Sequence, residues 1–135
     1  HPRELSDHGL IAAIETAAAQ YGPHVTVRAP HELPRIDDSV TAAAYFFTAE
    51  ALTNAARHSL ARQVRIKVTE DGNTLRINVT DNGASPGPSW EAGTGLASMR
   101  ERAELLGGTL HAGPSPTGGR VEATLPLQPP ATRRP

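Results

Sequence analysis

The sequence contains no cysteine among its 135 residues. This absence excludes a disulfide framework, an iron–sulfur cluster and any zinc site built on cysteine. No apolar run approaches the roughly 20 residues that a membrane-spanning helix requires. Bulky side chains other than aliphatic ones are scarce, since only six residues are Met, Trp, Tyr or Phe, whereas 21 are Ala. We therefore expect one domain with a core of Leu, Val and Ile and with Ala on closely packed helices.

Net charge is nearly absent as well, because 13 basic residues stand against 14 acidic ones. A nucleic-acid-binding protein needs a strongly basic face, so we expect no nucleic acid partner. Twelve of the basic residues are Arg, which favours planar contacts with anions at a few positions. The chain starts at His1 without an initiator Met or a signal peptide, and we expect it to be the cytoplasmic part of a longer protein.

Hydrophobic periodicity divides the chain into three helices and five strands. We predict a linker over 1–6, a domain over 7–127 and a disordered tail over 128–135. Asp7 is the predicted N-cap of the first helix, and Asp71-Gly72 is a hairpin turn signal. The predicted elements are helix 7–20, strand 24–29, helix 37–59, strands 64–68 and 75–79, helix 96–106, and strands 109–112 and 119–125. This order predicts an α/β two-layer sandwich, in which helices pack on one face of a sheet.

The second predicted helix carries polar residues at a spacing of four. Glu50, Asn54 and His58 fall on one stripe of that helix. A carboxylate, an amide and an imidazole so aligned can hold a hydrated divalent ion and phosphate oxygens, and Mg²⁺ prefers oxygen ligands. The alternative is the solvated polar face of an amphipathic helix, which is the commoner meaning of such a stripe on its own.

Asp81-Asn82-Gly83 follows a predicted strand and precedes a stretch rich in Pro and Gly. Such a tripeptide commonly forms a hairpin turn. Here the next residues, 84–89, cannot form a strand. An Asp at the end of a buried strand could instead accept a hydrogen bond from the amino group of a ligand, and Gly83 would let a flat ring approach the backbone.

Gly93-Thr94-Gly95-Leu96 leads into the third predicted helix. Glycines at a helix N-terminus expose backbone N–H groups to an anion, and the helix dipole adds to the attraction. The pattern is neither a P-loop nor a dinucleotide fingerprint, since no Gly-Lys-Ser/Thr follows and Ser98 stands where a third glycine belongs. In isolation it equally fits an ordinary loop and N-cap.

Taken in order, these three stretches resemble the catalytic ATP-binding domain of bacterial sensor histidine kinases, within the superfamily of DNA gyrase and the heat-shock chaperone ATPases. The helix over 46–59 resembles the Asn box of that family, and the two glycine-containing stretches resemble its first and second glycine boxes. Residues 95–108 and 118–127 are similar to the subfamily that pairs with helix-turn-helix response regulators. The resemblance covers about residues 2–127. It implies the Bergerat-type fold, a mixed and mostly antiparallel sheet with helices on one face.

The resemblance also implies a role for each motif residue. Asn54 would coordinate Mg²⁺ and Glu50 would orient a metal-bound water, which makes these two the catalytic candidates. Asp81 would bind the adenine amino group of ATP, with Gly83 beside the ring, and residues 84–92 would form a lid. The phosphates would lie near Arg57, His58, and the backbone amides of Gly93, Thr94, Gly95 and Leu96.

In this family the γ-phosphate passes to a histidine on a separate dimerisation domain. None of the six His residues here matches the pattern of that helix. We therefore expect a monomer that binds ATP but lacks its phosphoacceptor, within a homodimeric protein that signals to a response regulator. Whether that protein crosses a membrane stays open.

Two departures from the family pattern concern the lid. Ser85 stands where a second glycine is frequent, and no phenylalanine-containing box is present. Two alternatives therefore stay open: a Ser/Thr kinase of the anti-sigma type, and a degenerate module that binds nucleotide or a partner without catalysis.

Overall fold

The computed structural model describes residues 3–22, 24–58, 63–82, 96–115 and 118–130, of which 3–8, 56–58 and 114–115 are described by their backbone only. The elements are α1 Arg3–Tyr21, β1 Val25–Arg28, α2 Asp38–His58, β2 Val64–Asp71, β3 Thr74–Asp81, α3 Leu96–Leu105, β4 Thr109–Ser115 and β5 Gly118–Pro126. The five strands form one sheet in the order β1-β2-β3-β5-β4. β1 pairs with β2 in parallel and the other pairs are antiparallel. This confirms the predicted mixed, mostly antiparallel sheet.

The two faces of the sheet differ because side chains alternate along each strand. Buried and exposed residues take turns along β2, β3 and β5. The register places buried residues opposite one another, as in Ile66 opposite Val79 and Val79 opposite Val121. One face is therefore a continuous apolar surface, on which the helices pack, and the other face is open and polar.

Alanine allows α1 and α2 to pack closely against each other and against the sheet. The two helices are in contact, and α2 also contacts β2, β3 and β5. The buried alanines of the two helices are Ala13, Ala17, Ala18, Ala43, Ala44, Ala51 and Ala55. Phe47 and Ile14 are the largest fully buried side chains in the described part of the chain. The expectation of an aliphatic core with alanine at helix contacts is thus confirmed.

The first helix starts earlier than the sequence predicts. Helical backbone begins at Arg3 rather than after Asp7, and Gly9 interrupts it with a φ of 85°. This left-handed conformation is readily available to glycine and unfavourable for other residues. The Gly9 break separates a short N-terminal segment from the part of α1 that packs on α2. None of the described helices has the length and apolar character needed to cross a bilayer.

Asp37 caps the N-terminus of α2. Its carboxylate accepts hydrogen bonds from the backbone N–H of Ser39, at 3.1 Å, and from the Ser39 hydroxyl. These two bonds lower the pKa of the Asp37 carboxyl below its ordinary value. The backbone of Asp37 also joins the helix to the sheet, because its N–H donates to the carbonyl oxygen of Leu127 at 3.0 Å.

A Schellman motif ends α3. Gly108 N–H donates to the carbonyl of Ala103 at 2.8 Å, and Gly107 N–H donates to that of Glu104 at 3.0 Å. Gly107 has a φ of 87°, as this motif requires. A Cβ on Gly108 would lie 2.1 Å from the backbone oxygen of Thr124, so the turn lies against β5 with no room for a side chain.

We expect Gly108→Ala to destabilise the domain by about 1–3 kcal/mol, because a backbone oxygen cannot move aside as a flexible side chain can. Urea unfolding followed by circular dichroism measures this change. Gly113→Ala is the matched control, since a Cβ there meets nothing within 4 Å. Equal stability of the two variants would contradict the close approach at Gly108.

The Asp37 cap makes stability depend on pH. A carboxyl whose pKa is lowered in the folded state stabilises the fold above its unfolded-state pKa, and this contribution disappears as the pH falls through the folded-state value. We expect the advantage of the parent chain over Asp37→Asn to shrink below about pH 4. Urea unfolding of both chains between pH 7 and pH 3 measures the gap, and a gap independent of pH would contradict this assignment.

Candidate functional site

Asn54 lies on the buried side of α2, only 3% exposed. Its neighbours Ala51, Leu52 and Ala55 are buried as well, while Glu50 is half-buried. A solvated polar face is therefore the wrong interpretation for Asn54. A buried side-chain amide in an apolar stripe is costly unless its polar atoms are used, and such positions are common at functional sites.

The segment of α2 that carries Asn54 lies at one particular end of the sheet. Tyr21, the last residue of α1, has its hydroxyl 3.1 Å from the Thr53 hydroxyl. The chain then enters β1 at Val25, which pairs with Val64, and Val64 pairs with Asp81. Thr53 and its neighbour Asn54 thus lie toward the end of the sheet where β3 finishes and β1, β2 and β5 begin. We call this the Asp81 end.

Asp81 is the last residue of β3 and is only 6% exposed. Asp81 lies two residues after the buried Val79 and four after the buried Ile77, so its side chain belongs to the face that packs against the helices. The backbone N–H of Gly119 donates to its Oδ1 at 3.3 Å. A carboxylate can accept several hydrogen bonds at once, so a ligand donor can share it with Gly119.

Asp81 and Asn82 do not join two neighbouring strands. The next described strand in the chain is β4, which pairs with β5 and not with β3. The hairpin-turn interpretation of this tripeptide is therefore wrong. Asn82 instead fixes the start of β2, because its Oδ1 accepts from Gln63 N–H at 2.8 Å and its own N–H donates to the Gln63 carbonyl at 3.2 Å.

The N-terminus of α3 is directed toward the same end. The chain reverses between α3 and β4, and the two elements pack against each other. The Arg100 side chain donates to the Leu110 carbonyl at 3.3 Å, near the start of β4. Since β4 ends beside the start of β5, the opposite end of α3, at Leu96, extends toward the Asp81 end. The Leu96 side chain is buried, which anchors this helix terminus in the core.

A contact between α2 and α3 stabilises this arrangement. The guanidinium carbon of Arg102 lies 4.7 Å from the centre of the Phe46 ring, a cation–π geometry. The Phe46 ring in turn lies 6.0 Å from the Phe47 ring in the core. Phe46 lies earlier in α2 than Asn54, and Arg102 lies later in α3 than Leu96. From this contact both helices extend toward the Asp81 end, α2 forward to Asn54 and α3 backward to Leu96.

The remaining predicted site residues are not all described. Gly83, the predicted lid over 84–92, and Gly93, Thr94 and Gly95 lie outside the described residues. Arg57 and His58 continue α2 beyond Asn54, but only their backbone is described. The described site thus consists of Glu50, Asn54, Asp81 and Leu96.

Sequence reasoning missed three residues that shape this site. Gly119 orients the Asp81 carboxylate, and the Tyr21–Thr53 pair ties α1 to the segment of α2 that carries Asn54. Gly119 is 38 residues from Asp81 along the chain, and only the register of β3 with β5 brings them together. No local sequence signal could have identified these contacts.

The donor set suits a nucleotide with its metal. A buried carboxylate can accept from an amino group, an amide oxygen is a ligand that Mg²⁺ accepts, and a helix N-terminus attracts phosphate. The described residues contain no group of three His, Asp or Glu side chains that could hold a metal ion by themselves. An amide oxygen such as that of Asn54, together with phosphate oxygens of a ligand, is a donor set that suits Mg²⁺.

Comparison with known proteins identifies the family. Residues 42–129 match the family described as histidine kinase-, DNA gyrase B-, and HSP90-like ATPase. The match covers more than half of the chain, and the chain belongs to this family.

Curated relatives and a solved structure agree with this membership. The chain is 31% identical over 134 residues to the sensor histidine kinase MctS of Rhizobium johnstonii, covering 93% of this chain and 29% of that protein. It is 38% identical over 95 residues to the sensor histidine kinase YxjM of Bacillus subtilis, covering 70% of this chain and 22% of that protein. The crystal structure of the ATP binding domain of PrrB from Mycobacterium tuberculosis is similar, with a TM-score of 0.63, 26% identity and coverage of 89% of this chain and 93% of that one. The chain thus spans less than a third of the two curated relatives and nearly all of the solved domain.

Proposed function

We propose that this chain binds Mg·ATP at the Asp81 end of its sheet and donates the γ-phosphate to a histidine on the dimerisation domain of a sensor histidine kinase. The observation that supports this proposal most directly is the convergence of three elements. Asn54 of α2, Asp81 of β3 and the N-terminus of α3 at Leu96 lie toward one end of the sheet. Asn54 supplies an amide ligand for the metal, Asp81 an acceptor for the base, and the helix N-terminus an attraction for phosphate.

In this proposal each residue has a distinct part. Asp81, oriented by Gly119, accepts a hydrogen bond from the adenine amino group and so selects adenine. The Asn54 amide oxygen is the ligand that the chain offers to the metal, and Glu50, four residues earlier on the helix, orients a water of the metal. Bound Mg²⁺ neutralises phosphate charge. Backbone amides ahead of Leu96 hold the phosphate tail, with Arg57 and His58 nearby.

The proposed transfer requires positioning more than covalent chemistry by this domain. The imidazole nitrogen of the acceptor histidine forms a bond to the γ-phosphorus, while the bond from that phosphorus to the β–γ bridging oxygen breaks and ADP leaves. Phosphoryl transfer of this kind is accelerated mainly by alignment and by charge stabilisation. The phosphorylated histidine would then pass the phosphoryl group to a response regulator with a helix-turn-helix output domain. This choice of partner follows from the similarity of residues 95–108 to the subfamily that pairs with such regulators. We propose that the whole protein is a homodimer that presents this domain in the cytoplasm.

Removal of the Asn54 amide tests the metal assignment. Calorimetric titration of the chain with ATP, with and without Mg²⁺, is expected to give saturable binding that prefers ATP over GTP and is tighter with the metal. In Asn54→Ala we expect this metal dependence to disappear, because the protein ligand is gone. Asn73→Ala is the matched control, since Asn73 is exposed in the hairpin at the opposite end of the sheet. Absence of ATP binding by the parent chain at millimolar concentration would contradict the proposal.

Asp81→Asn tests the adenine contact. The amide oxygen of Asn can still accept from Gly119, so we expect the fold to persist, but the buried amide no longer matches the amino group of adenine. We expect ATP affinity to fall by about 5- to 150-fold, which corresponds to about 1–3 kcal/mol for a mispaired buried polar contact. Asp71→Asn, at the exposed hairpin end of β2, should bind as the parent does. Unchanged ATP affinity in Asp81→Asn would show that adenine is bound elsewhere.

A further inference from the structure

The face of the sheet that the helices leave uncovered has a charge unlike that of the whole chain. Five exposed basic side chains lie on this open face, at positions of alternate strand residues: Arg28, Arg65, Lys67, Arg76 and Arg120. The chain as a whole has a net charge of −1, so the rest of the sequence is net acidic. Two acidic residues, Asp71 and Glu122, share the alternation of these cations, so the open face is net basic while the rest of the chain is net acidic.

Little of this charge is neutralised within the domain. Among the described residues the one ion pair on the open face joins Arg120 to Glu122, at 2.9 Å. Arg28, Arg65 and Lys67 form no ion pair with any described residue. The strand register brings these three together, because Arg28 pairs with Lys67 and Arg65 lies two residues before Lys67 on the same strand. Three like charges in such proximity favour an anionic partner.

A groove of about 650 Å³ runs over β1, β2 and β3 at this cluster. Asn78 lies in the groove, directly opposite Lys67 in the register. Its side-chain carbonyl oxygen is buried without a hydrogen-bond partner among the described residues. Because that oxygen is enclosed by the domain itself, the groups that the groove presents to a partner are Arg28, Arg65 and Lys67. The groove thus offers cations for the carboxylates of a partner.

The shape and composition of the open face favour a protein partner over a nucleic acid. Five strands spaced about 4.8 Å apart form a surface about 19 Å wide, which is wider than the major groove of a duplex, about 12 Å. Single strands are usually bound by stacking of bases on aromatic side chains. The described residues of the open face include no Phe, Tyr or Trp.

We infer that the open face of the sheet, centred on Arg28, Arg65 and Lys67, is a docking surface for a carboxylate-rich segment of a partner protein. Carboxylates of the partner pair with the three cations. The three cations lie on the face of the sheet opposite the one to which Asp81 belongs, although Arg65 and Asp81 both line a small cavity at the Asp81 end. Peptide binding and ATP binding are measured separately, so the two proposals can fail independently.

A fluorescein-labelled deca-glutamate peptide is a suitable probe for this surface, with binding to the whole chain measured by fluorescence anisotropy. We expect Arg65→Gln/Lys67→Gln to weaken binding by about tenfold, and Lys67→Gln to weaken it less, because charge pairing supplies most of the attraction. Rising KCl concentration should weaken binding to the parent chain more steeply than to the double variant. Arg35→Gln is the matched control, because it removes one exposed cation from a loop outside the sheet.

Three results would overturn the inference. The first is equal peptide affinity, or no measurable binding, in the parent chain and the double variant. The second is tighter binding of a single-stranded deca-thymidine oligonucleotide than of the peptide, which would indicate a nucleic acid surface. The third is displacement of the peptide by ATP, which would assign the peptide to the nucleotide site. Unchanged ATP affinity and urea midpoint in the variants would show that a loss of peptide binding arises from the lost charges and not from unfolding.

Discussion

The register of β3 between β2 and β5 is the constraint on which the rest of the structure depends. A shift of one residue along a strand moves every side chain to the other face of the sheet. In the observed register Leu75, Ile77, Val79 and Asp81 all belong to the helix-covered face. A one-residue slip would expose these apolar side chains and bury Arg76. The apolar surface beneath α2 therefore fixes the position of the Asp81 carboxylate, and the core and the candidate site form together.

The same alternation of side chains gives the sheet one buried face and one exposed, charged face. On the covered face, Asp81 and Asn54 are buried away from water, where a hydrogen bond to a ligand is stronger than in solvent. On the open face, strand neighbours such as Arg28 and Lys67 are exposed, and in our proposal they attract a partner by charge. One sheet thus carries a buried candidate site on one face and an exposed basic surface on the other. The flanking helices need to cover only one face.

The sequence predicted the elements well wherever local chemistry determines them. Alternating Val and Ile define β2 and β3, and Asp71-Gly72 forms the hairpin turn between them. The predicted start of α1 is wrong. The sequence carries a good capping residue at Asp7, but the helix begins at Arg3 and breaks at Gly9. Glycine permits a break at this position, but only packing of the following segment on α2 decides that the helix resumes there.

The sequence by itself determined which residues carry the chemistry of the candidate site, since an amide, a carboxylate and a helix start are visible as Asn54, Asp81 and Leu96. It could not decide whether Asn54 is solvated or buried, because helical periodicity places it on a stripe without saying what covers that stripe. Nor could it bring Gly119 to Asp81, because strand order and register arise from contacts between distant segments. Those contacts depend on the burial of the whole apolar face, and only the tertiary structure specifies that burial.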